Sequence, residues 1–321
     1  MNCIGILTSG GDAPGMNACI RAVVRTAMAR NLQVKAVLQG FDGVMHCNYK
    51  DLHARDVGGV IQMGGTILQT ARCKEFYTAE GQEQGVKNLR DGGIDGLIVL
   101  GGDGSMRAAL ALHERGFPAI GVPATIDNDI WGTNMSIGVD TALNTIVEAI
   151  DKLRDTASSH KRAFLVETMG RRCGYLALMG GVIGGAEMVL IPEVKTPLEE
   201  VAQTIAEAYA RGKTHAIIII SEGAQHNATA VAKYLEEHAS AFQTRVTILG
   251  HVQRGGRPTA FDRLLAARFG IKAVEALVGG EAGKMVAITG REIALLPLKE
   301  VTARQREANL EYYKMAKMLA R

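Results

Sequence analysis

Short aliphatic runs alternate with longer amphipathic stretches along the whole chain. In the stretch 17–29, Ile20, Val23, Val24 and Ala27 recur at helical spacing, and a similar stripe predicts a helix over 141–154. The aliphatic runs are almost continuously apolar, as strands covered on both faces are, and they predict strands at 3–7, 34–38, 94–100, 119–122, 163–167, 188–191, 216–220 and 246–249. Strands alternating with helices at this spacing indicate an α/β protein with mostly parallel sheets.

Composition narrows the class of protein. The 321 residues are enough for two domains, and the 47% of hydrophobic residues excludes a disordered chain. A net charge of +3 indicates no general polyanion-binding surface, so no nucleic-acid partner is expected. Glycine is abundant at 38 residues while proline is scarce at 7, which favours backbone that approaches a ligand closely over flexible linkers.

Cysteine usage and hydropathy indicate a reducing, cytoplasmic location. The five cysteines contain no C-x-x-C pair, which argues against a disulfide framework or a structural zinc site. The N-terminus lacks a basic region followed by a cleavage site. The longest aliphatic run, 216–220, is far shorter than the ~18 residues that a membrane-spanning helix needs, so no membrane partner is expected.

Two glycine clusters follow predicted strands and precede predicted helices. One is Gly101-Gly102-Asp103-Gly104, where glycine amides can approach phosphate oxygens and Asp103 can hold Mg²⁺ that bridges them. The other contains Gly10 and Gly11 but matches neither the Walker spacing nor G-x-G-x-x-G. The loop 101–104 alone is equally compatible with a tight turn in which Asp103 merely caps the following helix. The loop with Gly10 and Gly11 is a weak signal by itself, and its alternative is a long turn in which Asn17 caps a helix.

Acidic and basic groups lie at further predicted strand ends. Asp127 and Asp129 lie two residues apart after the strand 119–122, so their side chains would point the same way in an extended segment. One carboxylate could accept the proton of an attacking hydroxyl while the other orients the metal or the base. A solvated polar turn is the alternative. Arg72, Arg171 and Arg254 lie beside glycine or small residues, and arginine's planar fork suits phosphate.

Together these segments resemble the bacterial 6-phosphofructokinases. The matching motifs, which agree in order and spacing over nearly the whole chain, are TSGGDAPGMN (8–17), GGDGS (101–105), TIDND (125–129), MGR (169–171) and GHVQRGG (250–256). The resemblance implies two Rossmann-like three-layer domains with mostly parallel sheets. The expected ATP-binding domain covers 1–138 and about 253–303, and the expected sugar-phosphate-binding domain covers 139–252 and 304–321, with a cleft between them.

The resemblance also implies an activity, ATP-dependent phosphorylation of fructose 6-phosphate to fructose 1,6-bisphosphate, the committed step of glycolysis. It implies Mg²⁺ at Asp103 and Asp127 as the base. The other implied catalytic residues are Arg72, Arg171, Thr125 and Asp129. ATP is expected at Gly11, Arg72, Cys73, Gly102, Asp103, Gly104 and Ser105, and the sugar phosphate at Thr125, Asp127, Arg162, Met169, Gly170, Arg171, Glu222, Arg245, His251 and Arg254.

Quaternary structure and regulation follow from the same resemblance. A homotetramer is implied, in which Arg162 and Arg245 reach the sugar 6-phosphate of a neighbouring subunit. An effector site for ADP or phosphoenolpyruvate is implied at Arg21, Arg25, Arg154, Gly185, Glu187, Arg211, Lys213 and His215. Ala54, Gly58 and Gly59 replace the arginine and polar residues usual there, although Arg55 lies one place along, so we expect a weakened or altered effector response.

Donor choice depends on a few small residues. Pyrophosphate-using relatives tend to carry Asp where this chain has Gly104 and Lys where it has Ala124, so Gly104 favours ATP. Departures from the family pattern around the nucleotide base are Phe41, Cys73, Tyr77 and Ala108. The alternatives are a pyrophosphate-dependent phosphofructokinase, a non-catalytic sugar-phosphate sensor, which would need neither base nor metal ligand, and a dinucleotide-binding oxidoreductase, for which a fingerprint is missing.

Overall fold

The computed structural model describes residues 1–157, 162–239 and 243–320. Its strands in chain order are β1 (Cys3–Ser9), β2 (Gln33–Val37), β3 (Tyr49–Asp51), β4 (Gly96–Gly101), β5 (Ala119–Pro123), β6 (Arg162–Thr168), β7 (Met188–Leu190), β8 (His215–Ser221), β9 (Gln243–Ile248), β10 (Lys284–Thr289) and β11 (Glu292–Pro297). The strands alternate with helices, which is the pattern that the sequence predicts.

The helices are α1 (Met16–Ala29), α2 (Phe41–Met45), α3 (Ala79–Asp91), α4 (Asp103–Glu114), α5 (Val139–Ala157), α6 (Tyr175–Gly184), α7 (Leu198–Ala210), α8 (Ala228–His238), α9 (Ala260–Val278), α10 (Leu298–Thr302) and α11 (Leu310–Leu319). Short 3-10 helices cover Glu75–Tyr77 and Gly250–Arg254. Within the described ranges, no helix combines the length and apolarity needed to cross a membrane.

One compact unit comprises Met1–Ile126, Ile130–Thr141 and Arg254–Gln305. Its seven-stranded sheet has the order β11-β10-β5-β4-β1-β2-β3, with parallel pairing except at the two edges, where β11 and β3 run antiparallel to their neighbours. Every residue of the central strand β4 is buried, because helices cover both faces of the sheet. The carboxyl ends of β1, β4 and β5 therefore lie side by side at one edge.

The second compact unit comprises Asp127–Asp129, Ala142–Gln253 and Arg306–Arg321. Its four strands are all parallel in the order β7-β8-β6-β9. Side chains of β6 and β8 pack with α7 and α8 to form its core. The segment 127–129 packs with this unit although it lies inside the range 1–138, and the assignment of one ligand to each predicted domain stays a prediction.

The start of α5 is held by a buried carboxylate from α9. Asp262, 0% exposed, accepts hydrogen bonds from the Gly138 amide (2.9 Å), the Thr141 amide (2.8 Å) and the Thr141 hydroxyl (2.6 Å). The two amides are among the backbone donors that a helix N-terminus leaves unsatisfied, so Asp262 caps α5 from 121 residues further along the chain. Burial raises the pKa of Asp262 to about 6, against the lowering effect of these hydrogen bonds.

The α/β class with mostly parallel sheets is confirmed, while several elements differ from the expectation. The edge strands β3 and β11 were not predicted, because β3 is largely exposed and β11 is half-buried along most of its length. Strand β10 was also missed, although its four middle residues are buried. The predicted strand 94–100 begins later, at Gly96, and the predicted strand 246–249 begins earlier, at Gln243. The helix predicted over 141–154 extends from Val139 to Ala157.

Candidate active site

The first glycine loop follows β1. Gly10 has a φ of +82°, which favours glycine, and a Cβ on Gly11 would overlap the guanidinium of Arg254. Arg254 also donates to the Asp12 carbonyl at 3.3 Å. The structure thus places Arg254, which the resemblance implies at the sugar phosphate, against the loop that the resemblance implies for ATP.

The second glycine loop joins β4 to α4. A Cβ on Gly101 would overlap the Ser9 carbonyl of the neighbouring strand, so glycine is required there. Gly102 is the N-cap and Asp103 the first helical residue, so the alternative that Asp103 caps the helix is wrong. Gly104 is exposed, with open space where its Cβ would stand. The first turn of α4 therefore presents the positive end of a helix dipole and the exposed backbone of Gly104 to an anion.

Thr125 lies beside this turn. The Ala124 amide donates to the Gly101 carbonyl at 2.9 Å, which continues the β4–β5 pairing past the strand ends. A Cβ on Gly102 would stand 3.7 Å from the Thr125 Cβ. The structure therefore brings Gly102, Asp103 and Thr125 to one edge of the sheet, as expected for a ligand site at the carboxyl ends of parallel strands.

The loop that carries Arg72 is fixed to this edge by two buried polar residues. Thr8 donates to the Gln69 carbonyl at 2.9 Å. Asn17 donates to the Met63 and Gly64 carbonyls and accepts from the Ile67 amide at 2.8 Å. Asn17 is thus an anchor for the loop, and the alternative that it caps α1 is wrong, since Gly15 holds that position. Arg72 itself is exposed, and Cys73 is half-buried.

Asp127 and Arg171 form an ion pair in the second unit. The Arg171 Nε lies 3.2 Å from the Asp127 Oδ2, and the side chains are 61% and 2% exposed, respectively. The exposed guanidinium can reach an anionic ligand while it also orients the buried carboxylate. Asp129, two residues further on, is half-buried. Arg171 adopts a left-handed backbone, with a φ of +53°.

Glu222 holds the turn that carries Arg171. Its Oε1 accepts from the Gly170 amide at 3.2 Å and from the Arg171 amide at 2.9 Å. A Cβ on Gly223 would overlap the Arg171 carbonyl, so the glycine after Glu222 is needed for this contact. Sequence reasoning missed Gln253, which is fully buried and accepts from the Met169 amide at 3.3 Å. Its only sequence signal is its position inside the segment 250–256.

Arg162 and Arg245 lie on neighbouring strands of the four-stranded sheet. Arg162 is the first residue of β6. Arg245 lies on the edge strand β9, in register with Phe164 of β6. Residues two apart along a strand share a face, so the two arginines lie on the same face of the sheet. Arg245 is exposed and Arg162 is half-buried. His251, in the 3-10 helix that follows β9, is exposed.

The residues implied for an effector are divided between the two units. In the second unit, Arg154 donates to the Gly185 carbonyl at 3.0 Å, and Lys213 donates to the buried Glu187 carboxylate at 3.2 Å. Arg211 faces Glu207 at 4.0 Å, and His215 opens β8. Arg21 and Arg25 lie on α1 of the first unit, half-buried and exposed. Whether they bind an effector stays a prediction.

The carboxylates suit a metal ion that arrives with phosphate. Among the described residues, no group of three or more His, Cys, Asp or Glu side chains could hold a metal ion alone. Mg²⁺ in phosphoryl-transfer sites needs only one or two carboxylates, because phosphates and waters complete its coordination. Asp103, half-buried beside the open turn of α4 and bonded to Arg107 Nε at 3.0 Å, fits that role.

Together, these features define a class of protein. Glycine loops at strand ends, an open helix N-terminus, exposed arginines and a buried carboxylate paired with a guanidinium are the parts of an α/β phosphotransferase.

Comparison with known proteins identifies the family. The family model described as "Phosphofructokinase" matches residues 3–277. The chain is 50% identical over 321 residues to an ATP-dependent 6-phosphofructokinase of Thermotoga neapolitana, and the match covers 100% of both chains. A comparable match, 50% over 320 residues, is the ATP-dependent 6-phosphofructokinase of Natranaerobius thermophilus.

Comparison with solved structures supports the same family. The T-state phosphofructokinase of Pichia pastoris superposes with a TM-score of 0.90 at 37% identity, over 94% of this chain, which spans about a third (35%) of the Pichia chain. The chain belongs to the phosphofructokinase family.

Proposed function

We propose that this protein transfers the terminal phosphoryl group of ATP to the 1-hydroxyl of fructose 6-phosphate, giving fructose 1,6-bisphosphate and ADP. The names of its full-length relatives, ATP-dependent 6-phosphofructokinases at 50% identity, support this activity. The observation that carries it in the structure is the ion pair between the buried Asp127 and the exposed Arg171. As the committed step of glycolysis, the reaction would take place in the cytoplasm.

Asp127 acts as the general base in this proposal. Its carboxylate accepts the proton of the 1-hydroxyl as that oxygen attacks phosphorus. Arg171, whose Nε lies 3.2 Å from the Asp127 Oδ2, pairs with the carboxylate and orients it. Arg171 and Arg72 would also neutralise charge on the transferring phosphoryl group, and loss of such a group typically costs ~10²–10³ in rate. Thr125 and Asp129 would orient the reacting groups.

The ATP phosphates would lie against Gly11, in the glycine loop after β1, and against the turn 102–105, where the N-terminus of α4 has open space beside Gly104. Asp103 would hold Mg²⁺, which neutralises phosphate charge when bound. Asp103 would then share its carboxylate with Arg107, which bonds the Oδ2 atom. The open space beside Gly104 leaves room for the triphosphate, which favours ATP over the alternative donor, pyrophosphate.

The sugar phosphate would be bound by Met169, Gly170, Glu222, His251 and Arg254. We propose a homotetramer in which Arg162 and Arg245 contribute to the site of a neighbouring subunit, because both arginines lie on one face of a sheet whose edge strand is exposed. The same assembly would create the effector site. The effector response would be weakened or altered, because Ala54 stands in place of an arginine and Gly58 and Gly59 in place of polar residues.

The test is a coupled assay that crosses ATP, GTP and pyrophosphate with several hexose and heptose phosphates. We expect turnover with ATP and fructose 6-phosphate, a requirement for Mg²⁺, and little turnover with pyrophosphate. Faster turnover with pyrophosphate than with ATP would favour the pyrophosphate-dependent alternative. Binding of fructose 6-phosphate without turnover on any donor would favour a sensor.

A further inference from the structure

A single carboxylate, that of Glu193, links the turn of Arg171 to the C-terminal segment. Glu193 follows β7, and its Oε1 accepts from the Gly174 amide at 2.9 Å and from the Ala308 amide at 2.8 Å. The Oε2 atom lies 3.2 Å from the same Gly174 amide. A Cβ on Gly174 would meet this Oε2 at 2.6 Å, so the close approach depends on glycine.

The same C-terminal segment holds the chain beside Asp127. The Arg306 amide donates to the Asp129 carbonyl at 3.2 Å, two residues before the Ala308 amide that bonds Glu193. The Arg306 guanidinium lies over the Tyr175 ring, 5.3 Å from its centroid, and Tyr175 opens α6 directly after Gly174. The segment 306–308 is therefore tied both to Asp129 and to the turn that carries Arg171.

These contacts matter because the distance between Asp127 and Arg171 depends on two chain segments that are 44 residues apart in sequence. Each reacting group of an active site needs placement within about 0.5 Å. The Arg171 backbone is in the left-handed region, so the turn would relax if its anchors were lost. Glu222 anchors the start of this turn through the Gly170 and Arg171 amides. Glu193 anchors its end through the Gly174 amide.

We propose that Glu193 is a positioning residue for the Asp127–Arg171 pair, acting as one acceptor that joins Gly174 to Ala308. The proposal rests on the proposed function. The backbone amides need an acceptor, which a glutamine oxygen also provides, so the hydrogen bonds matter more than the charge. In the hydrogen bonds described for it, Glu193 contacts neither Asp127 nor Arg171, so it acts on them through the backbone. Its loss should affect the chemical step, because the pair that it positions takes part in that step.

The test compares Glu193→Ala, Glu193→Gln and a matched control, Glu200→Ala. Glu200 also contacts the C-terminal segment, through an ion pair with Lys317 at 3.2 Å, but it lies on α7 away from the turn. We expect kcat of Glu193→Ala to fall about 10- to 100-fold with the KM for ATP within threefold, since a misplacement of 1 Å can cost about 10² in rate. Glu193→Gln and Glu200→Ala should stay within threefold of the wild-type kcat.

Amide hydrogen exchange gives a readout that does not depend on activity. Glu193→Ala should exchange faster at residues 171–174 and 306–308, while peptides of β8 remain unchanged. Equal kcat for Glu193→Ala and Glu200→Ala would overturn the proposal, as would a Glu193→Gln variant as slow as Glu193→Ala. A Glu193→Ala chain that does not fold would also overturn the proposal, since Glu193 would then be required for folding and not only for positioning the Asp127–Arg171 pair. A wild-type protein without kinase activity would refute the proposed function instead, and the exchange result would stand separately.

Discussion

Replacement of the buried Asp262 should change how the stability of the first unit depends on pH. Burial raises the pKa of this carboxyl from 3.8 to about 6, so the folded state binds the proton more tightly than the unfolded chain. Stability therefore falls as pH rises between these two values, and the full penalty is present above pH 6. The shift corresponds to a total penalty of about 3 kcal/mol, at 1.36 kcal/mol per pKa unit.

The Asp262→Asn variant removes this titration and also removes a hydrogen-bond acceptor. Each carboxylate oxygen of Asp262 accepts from a backbone amide, Gly138 on one side and Thr141 on the other. An asparagine offers one oxygen, so one of these buried donors loses its acceptor at every pH, at a cost of about 1–3 kcal/mol. We expect the variant to be clearly less stable than the wild type at pH 4. The difference in the free energy of unfolding between the wild type and the variant should narrow by about 2 kcal/mol between pH 4 and pH 7.

The measurement is urea-induced unfolding at pH 4, 5, 6 and 7, followed by the fluorescence of Trp131, the one tryptophan of the chain, which belongs to the same unit as Asp262. Asp95→Asn is the matched control. Hydrogen bonds from the Asn2 and Cys3 amides lower the pKa of the exposed Asp95, so its contribution to stability is lost as pH falls. The gap for that variant should widen toward neutral pH. A gap for Asp262→Asn that is constant, or that widens with pH, would refute the reasoning.

Four further substitutions test the proposed chemistry. Asp127→Asn should lower kcat about 10²–10⁴-fold with little change in folding, measured by coupled assay and thermal melting, because the amide cannot accept the hydroxyl proton; near-normal turnover would remove Asp127 from the role of base. Arg162→Ala or Arg245→Ala should raise the KM for fructose 6-phosphate more than that for ATP, and an equal rise in both would contradict their placement at the sugar phosphate. Gly104→Asp should lower kcat/KM for ATP about 10-fold or more, since a carboxylate beside the phosphates repels them; unchanged ATP use would show that the open space is not occupied by the donor.

The central strands could be predicted from the sequence because helices cover them on both faces. The residues of β4 are all buried and those of β8 nearly so, which makes an unbroken apolar run the correct signal. Edge strands give no such run: β3 is mostly exposed, and β9 exposes Arg245, Val246 and Ile248. The start of β9 was therefore misplaced, and β3 was missed.

The candidate site divides in the same way. Glycine loops and clustered charges leave a local signature, so Gly101, Gly102 and Asp127 could be singled out from the chain alone. Glu193 and Asp262 leave none, because each acts through amides 115 and 121 residues away, at Ala308 and Thr141, that any sequence would supply. Such anchors become visible only when the fold brings the partners together.

The backbone at Asn128 and Arg171 shows why the anchors are needed. Both residues have positive φ, +51° and +53°, and each immediately follows a residue of the proposed site, Asp127 or Gly170. A non-glycine residue pays about 1–2 kcal/mol for this conformation, less for asparagine, whose short side chain tolerates it. Glycine at 171 would remove the strain and also the guanidinium that pairs with Asp127. Keeping an arginine there requires contacts that hold the turn against relaxation, which is what the carboxylates of Glu222 and Glu193 supply at its two ends.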